Sequence, residues 1–405
     1  MSLDIPKAIV QEVASLPEHL KKFKPWLLAS LNRLFQDAAI ETDQGIYLAT
    51  GDIPAMWLRD SSFQIRPLIR FSKDPEVYDF CAKVISQQAF YIGIDPYANA
   101  FNPEPNGFCW HKDFPDQKPW VFERKWEIDS LASFLDVSHR LALVSGRKDH
   151  MNLNWERAVA SIIEVFTTEQ NHDPLSYKFV REGNPQHDYL SHGGLGAPFK
   201  SSGLIWSAFR PSDDACQLPF NIPQNAYASA SLNKIAGYLS PELRKKCLPL
   251  SQEIRDSIEA QALTESGYAY EIDGLGNAVF LDDANIPSLL SLPYLGYCEK
   301  QDPRYLRTRE FVLSANNPWF FEGDLLAHVG SPHTGQQQVW PLAMAMEVIT
   351  DVNPEISKLE TLAQTAPTYA FHESVNVNDF SKFTREWFSW ADMTFLDAVF
   401  VSNGK

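Results

Sequence analysis

Nine carboxylates stand in short polar-aromatic stretches of the chain, most of them just ahead of an apolar run: Asp60, Glu127, Asp129, Asp213, Asp214, Asp282, Asp283, Glu386 and Asp392. Paired carboxylates suit acid–base hydrolysis, one giving a proton to a leaving oxygen and the other activating a water. Two of the nine stand out. Asp213 is followed by Asp214, and adjacent negative charge raises the pKa of one of them, as a general acid near neutral pH needs. Glu386 lies within Arg385-Glu386-Trp387-Phe388-Ser389-Trp390, an aromatic setting that suits a base beside a sugar. Residue types alone do not choose this pair. Asp60, Asp129, Asp214 and Asp392 are each also explained as helix caps.

The stretch Thr50-Gly51-Asp52-Ile53-Pro54-Ala55-Met56-Trp57-Leu58-Arg59-Asp60-Ser61-Ser62 begins as a loop and ends on three N-cap types, Asp60, Ser61 and Ser62. Trp57, Arg59 and Asp60 suit a sugar ring, whose C–H face packs on an indole while its hydroxyls meet charged groups. Taken alone, the stretch is better explained by a buried Trp beside a structural ion pair.

Other chemistries have little to stand on. His187, His192, His328, His333 and His372 lie in expected loops without metal-ligand spacing. Gly193-Gly194-Leu195-Gly196 lacks the ending and the preceding strand of a phosphate loop, and reads as a flexible connection. There is no G-x-S-x-G, and the five cysteines form no CxxC. Asp213-Asp214 and Asp282-Asp283 both lack the final Asp of the magnesium-binding DDxxD found in some terpenoid cyclases.

The net charge of −16 argues against nucleic acid as a partner. The residues from Met1 to Ser15 do not form a signal peptide, and no run is long enough to span a membrane, so a cytoplasmic protein is expected.

Helices must position these groups. Amphipathic patterns at Glu18 to Ala39, from Asp74, near Trp155 to Thr168, from Pro241, from Pro303 and from Pro354 alternate with more uniformly apolar stretches. The apolar stretches are Ser61 to Phe71, Leu131 to Val144, Asn225 to Leu239, Leu289 to Tyr297, Leu342 to Ile349 and Met393 to Val401. Six alternations predict an all-α fold of six buried helices inside six amphipathic ones, an (α/α)6 barrel forming one domain over residues 1–405. Strands are expected only in loops, such as a hairpin at Tyr268 to Val279 turning at Asp273-Gly274. The polar-aromatic stretches then converge on one cavity at one end.

The stretch from Thr50 to Ser61, Arg210-Pro211-Ser212-Asp213-Asp214-Ala215, and Arg385-Glu386-Trp387-Phe388-Ser389-Trp390-Ala391-Asp392 together resemble glycoside hydrolase family 125. The resemblance runs from about Gln44 to Phe400. It implies an (α/α)6 barrel and an exo-acting α-1,6-mannosidase that releases terminal mannose with inversion and without metal or other cofactor. The substrate implied is a mannose-containing oligosaccharide. By motif position the general acid falls on Asp213, with Asp214 the alternative, and the general base on Glu386. Trp57, Arg59, Asp60, Glu127, Asp129, Asp214, Asn285, His328 and Trp340 are expected to supply the mannose pocket. Replacing Arg59 is expected to weaken binding and leave the fold intact. Another (α/α)6 glycosidase of different linkage specificity, or a sugar-binding barrel without activity, remain the alternatives.

Overall fold

The computed structural model describes residues 3–181 and 188–404; His187 lies outside them. In chain order the helices are α1 (Lys7–Ala14), α2 (Lys24–Asn32), α3 (Leu58–Ile65), α4 (Pro75–Ile94), α5 (Ile128–Ser145), α6 (Leu153–Glu169), α7 (Ser191–Gly194), α8 (Ile222–Ile235), α9 (Pro241–Gln261), α10 (Leu292–Leu295), α11 (Pro303–Val312), α12 (Pro341–Thr350), α13 (Ile356–Gln364) and α14 (Ser389–Ser402).

Burial sorts them into two rings. Every residue of α3 is buried, as is every residue of α14 from Ser389 to Phe400, so these helices have no face for water. Helices α4, α6 and α9 bury one stripe and keep a polar face. Among the inner helices α3 packs on α5, α5 on α8, α8 on α10, α10 on α12, α12 on α14, and α14 back on α3. The inner ring is therefore closed, and the expected (α/α)6 barrel is present.

Capping varies among the helices, and inner α8 is capped by Asn221 while outer α9 has no side-chain cap. Asp74 accepts the N–H groups of Glu76 and Val77 to start α4, and Asn152 accepts those of Asn154 and Trp155 to start α6. The inner helices α3, α5, α12 and α14 have no side-chain cap. Asp60, Ser61 and Ser62 are not caps: α3 begins at Leu58, and the two serine hydroxyls donate back to the Leu58 carbonyl. Asp392 is likewise inside its helix, where it accepts from Arg33, from the indole of Trp387 and from the N–H of Phe371.

Two expectations need correction. The apolar stretch Leu289 to Tyr297 makes only the single turn α10, since Gly296 takes the left-handed conformation (φ 79°) that ends a helix. The fold is also not purely helical: seven sheets of two or three short strands are present among the described residues. The expected hairpin is one of them, with Glu271–Ile272 paired to Ala278–Val279, and Phe220–Asn221 adds a third strand. Met56–Trp57 leads directly into α3, Phe220–Asn221 into α8, and Gln338–Val339 almost directly into α12. Strands of two residues are too short to show a period-two pattern in sequence.

Candidate active site

A cavity of about 220 Å³ lies where these short strands enter the inner helices. The residue preceding each of three inner helices lines it: Trp57 before α3, Trp340 before α12 and Phe388 before α14. An aromatic thus occupies the position at which a capping Ser or Asp usually stands. The indole of Trp340 donates to Thr334 Oγ1 at 2.8 Å, whereas the buried indole N–H of Trp57 has no hydrogen-bond partner among the described residues. Asn285 also lines the cavity and is oriented by its amide, which donates to Asp283 Oδ1 at 2.9 Å.

The loop Phe209 to Ala215 delivers one carboxylate. The Arg210 guanidinium grips Glu271 at 2.6 and 3.0 Å, and the Arg210 N–H donates to the Asp214 carbonyl at 2.7 Å. This tight turn holds Asp213 at φ 66°, a region that short polar residues tolerate and most others avoid. It also separates the two aspartates. Asp213 lines the cavity, while Asp214 is buried away from it and meets His333 Nδ1 at 2.8 Å.

Arg59 is the hub of the wall. It lies 2.6 Å from Glu127, 3.1 Å from Asp213, 3.3 Å from Asp129 and 3.4 Å from Asp60, and its guanidinium covers the Trp390 ring at 5.3 Å. Arg59, Asp60 and Asp213 line the cavity; Glu127 and Asp129 are fully buried behind it and hold Arg59 instead. Asp60 also accepts the Thr50 hydroxyl.

One guanidinium among four carboxylates forces protonation. Burial raises Glu127 well above the carboxylate range, and the negative charges of Asp213 and Asp129 add to this against the pull of Arg59. Burial also lifts Asp129, to about 6. Asp213 keeps 22% of its side-chain surface exposed, and against the effect of its partial burial Arg59, a hydrogen bond with Glu127, Lys125 and His333 together hold it low. Of these two carboxyls Glu127 is therefore the one that holds a proton, and the charge of Asp213 favours its keeping it. Burial opposes charge on His333, yet its hydrogen bond to Asp214 and the nearby Asp214, Glu373 and Asp213 raise it to about 9.

Besides Asp214, Glu127 and Asp129, two more expected residues do not line the cavity. His328 lies on the strand Ala327–Val329 with Nε2 3.1 Å from Glu347, and it does not line the cavity. Glu386 is exposed and does not line the cavity either; Phe388 takes the position at the mouth of α14. The carboxylate that this part of the chain brings to the cavity is Glu373, buried, with Arg385 Nη1 3.8 Å from its Oε1. Its backbone N–H donates to the carbonyl of Thr384, because the strand Ser374–Asn376 pairs with Asp379–Thr384. Glu373 is not among the carboxylates singled out from sequence, and His333 appears there only as one of five loop histidines; the dipeptide His372-Glu373 is the signal the sequence offers.

A sequence profile of the family described as metal-independent alpha-mannosidases (GH125) matches residues 23–400. The chain belongs to glycoside hydrolase family 125. As a family 125 member it is an α-mannosidase, a hydrolase of glycosidic bonds. It is 37% identical to the meiotically up-regulated gene 157 protein of Schizosaccharomyces pombe, over 86% of this chain and 75% of that one. A Streptococcus pneumoniae metal-independent alpha mannosidase, solved in a non-productive substrate complex with alpha-1,6-mannobiose, superposes with a TM-score of 0.94. That pair shares 34% identity, with 98% of each chain covered. A bacterial glucoamylase complexed with acarbose matches at a TM-score of 0.64 and 13% identity, over 97% of this chain and 57% of that one, which is a likeness of fold alone. Among the described residues of this family 125 chain, no three or more His, Cys, Asp or Glu side chains group as a metal site.

Proposed function

We propose that the protein is an exo-acting α-1,6-mannosidase that releases terminal mannose with inversion, with Asp213 as general acid and Glu373 as general base. The observation that carries this reading is the placement of the two carboxylates on one small cavity. Asp213 precedes α8, the third inner helix, and Glu373 precedes α14, the sixth, so in a closed ring of six they approach from opposite sides. Inversion needs this arrangement, with carboxyl groups about 6.5–9.5 Å apart so that a water fits beside the base.

A cavity of about 220 Å³ is smaller than the roughly 300–1,000 Å³ of sites for drug-sized ligands, which suits one terminal sugar and an exo mode of action. Trp57 and Trp340 offer apolar faces for the ring, and Arg59, Asp60 and Asn285 offer partners for its hydroxyls. The α-1,6 linkage is taken from the mannobiose bound to the Streptococcus pneumoniae relative. In the proposed reaction Glu373 takes a proton from water as the water attacks the anomeric carbon. Asp213 protonates the departing oxygen on the opposite face, and its hydrogen bond to the buried Glu127 supplies the proton it hands on.

Leaving-group dependence tests the roles. Asp213→Ala is expected to lose roughly 10²–10⁴-fold in kcat/KM on α-1,6-mannobiose and far less on dinitrophenyl α-mannoside, whose leaving group needs no proton. Glu373→Ala is expected to lose activity on both substrates alike. Glu386→Ala, which removes the base that the family resemblance implies, is expected to lose less than Glu373→Ala on both substrates, although Arg385 and Phe388 on either side of it line the cavity. If Glu386→Ala is inactive and Glu373→Ala is not, the base has been assigned to the wrong residue.

A further inference from the structure

The cavity continues outward along a strip of aromatic rings that the terminal sugar does not need. Of the eleven tryptophans, Trp110 alone is exposed, at 54% of its surface. Phe108, 46% exposed, packs on Phe122 beside it, and a contiguous exposed aromatic patch of this kind, unlike a single side chain, marks where a ligand docks. Trp110 also lines the cavity, and it reaches the buried floor through Phe122. The Trp110 and Phe122 rings meet edge to face with centroids 5.4 Å apart, and Phe122 meets Trp57 in the same way at 5.6 Å. Since Phe122 touches Trp110 edge to face, a flat face of the indole is left open.

The loop that carries Trp110 is built to stay in place. The Asn102 amide donates to the carbonyls of Phe108 and Pro119 across its neck, at 2.9 and 3.3 Å. The Gln117 amide donates to the carbonyls of His111 and Phe122, at 3.1 and 3.2 Å. At the tip, Arg181 grips Asp113 with both nitrogens at 2.6 and 2.8 Å, alongside the strand pair Asp113–Phe114 with Val180–Arg181. Holding an exposed indole with this many bonds is what a preorganised binding surface requires. Beside this loop Arg181 and Asp188, paired with each other at 3.5 Å, also line the cavity and bring charged groups to its wall.

We infer that Trp110, backed by Phe122 and Trp57, is a stacking platform for a sugar of the leaving group, on the departing side of the scissile bond. The occupant is a hexose of the oligosaccharide chain: its apolar C–H face lies on the open indole and its hydroxyls face Arg181 and Asp188. This rests on the mannosidase reading and adds a second recognition point to it, one that selects an oligosaccharide over a mannose with a small leaving group.

The test compares two substrates on the full-length protein. α-1,6-Mannobiose carries a leaving sugar, whereas α-mannosyl fluoride leaves as fluoride and cannot reach the platform. Trp110→Ala is expected to lower kcat/KM on mannobiose about tenfold, mostly through KM, and to leave α-mannosyl fluoride unchanged. Trp110→Phe, which keeps an aromatic face, is expected to recover most of the loss. An equal loss on both substrates, or no loss on mannobiose, overturns the platform while the mannosidase reading stands. A parent enzyme that cleaves neither substrate overturns both.

Discussion

Arg59 has more negative charge around it than one guanidinium neutralises, and this governs its role. With Glu127, Asp129, Asp213 and Asp60 all within 3.4 Å, and with only 3% of its surface exposed, its removal leaves four crowded carboxylates without their cation. Breaking a buried ion pair by deleting one partner costs about 3–5 kcal/mol, so Arg59→Ala is expected to lower Tm markedly as well as to abolish activity. This reverses the expectation from sequence that the variant would keep its fold. A variant with the parent Tm and lowered activity would return Arg59 to a purely substrate-binding role. Asp213, Trp57 and Asn285 were legible because each lies in a block distinctive enough to locate the site. Glu373 was not: only the dipeptide His372-Glu373 marks its loop, and it takes the strand pairing of Ser374–Asn376 with Asp379–Thr384 to fold it back to the cavity. His328 was misplaced for a related reason, since its partner Glu347 lies on another element and no local pattern announces the pair.

At the scale of elements, the ring is closed by contacts between the first and last hairpins. Gly51 bridges Phe388, Asp52 N–H donates to the Trp387 carbonyl, and Arg385 binds Asp52. Gly51 has φ 122°, and a Cβ there would lie 2.5 Å from the Trp387 carbonyl oxygen. Backbone on both sides leaves no room to relax, so Gly51→Ala is expected to cost about 2 kcal/mol or more, read as a fall in Tm. Since Gly51 lies close in sequence to Thr50 and Ile53, which line the cavity, activity should fall with it. An unchanged Tm would mean that this seam does not hold the first hairpin to the last. Apart from the single turn α10, both rings of helices were legible from apolar periodicity, because a helix buried on every face differs in pattern from one buried on a stripe. The exact start of α3 was not, because Trp57 on a two-residue strand outcompetes the capping types that follow it. Apart from the hairpin at Glu271 to Val279, the sheets were not legible, because most of their strands are only two or three residues long.

For the molecule as a whole, the buried charges set the dependence of stability on pH. Asp129 and Asp392, both lifted by burial from 3.8 to about 6, hold protons in the folded state that the unfolded chain gives up between those values. Their contribution therefore weakens as pH rises through that window. His333, raised from 6.5 to about 9 despite burial, contributes fully below 6.5 and loses its contribution as pH climbs through 9. The net charge of −16 adds self-repulsion in the same direction. Asp136 opposes this only in strong acid: although buried, it is held far below 3.8 by Arg140, Lys234 and Arg66. Tm is thus expected to be highest on the mildly acidic side, about pH 5–6, and to fall steadily toward pH 9. A Tm that is flat or rising between pH 6 and 9 would contradict the protonation states assigned to the Arg59 cluster and His333.

The arrangement of Asp213 and Glu373 across one closed ring makes a direct claim about stereochemistry. Proton NMR of the mannose first released from α-1,6-mannobiose, recorded before the anomers equilibrate, tests it. A single displacement by water held on Glu373 predicts β-mannose first, with the α anomer growing in only by mutarotation. The appearance of α-mannose first would require a covalent intermediate and would contradict the assignment of Glu373 as a base acting on water.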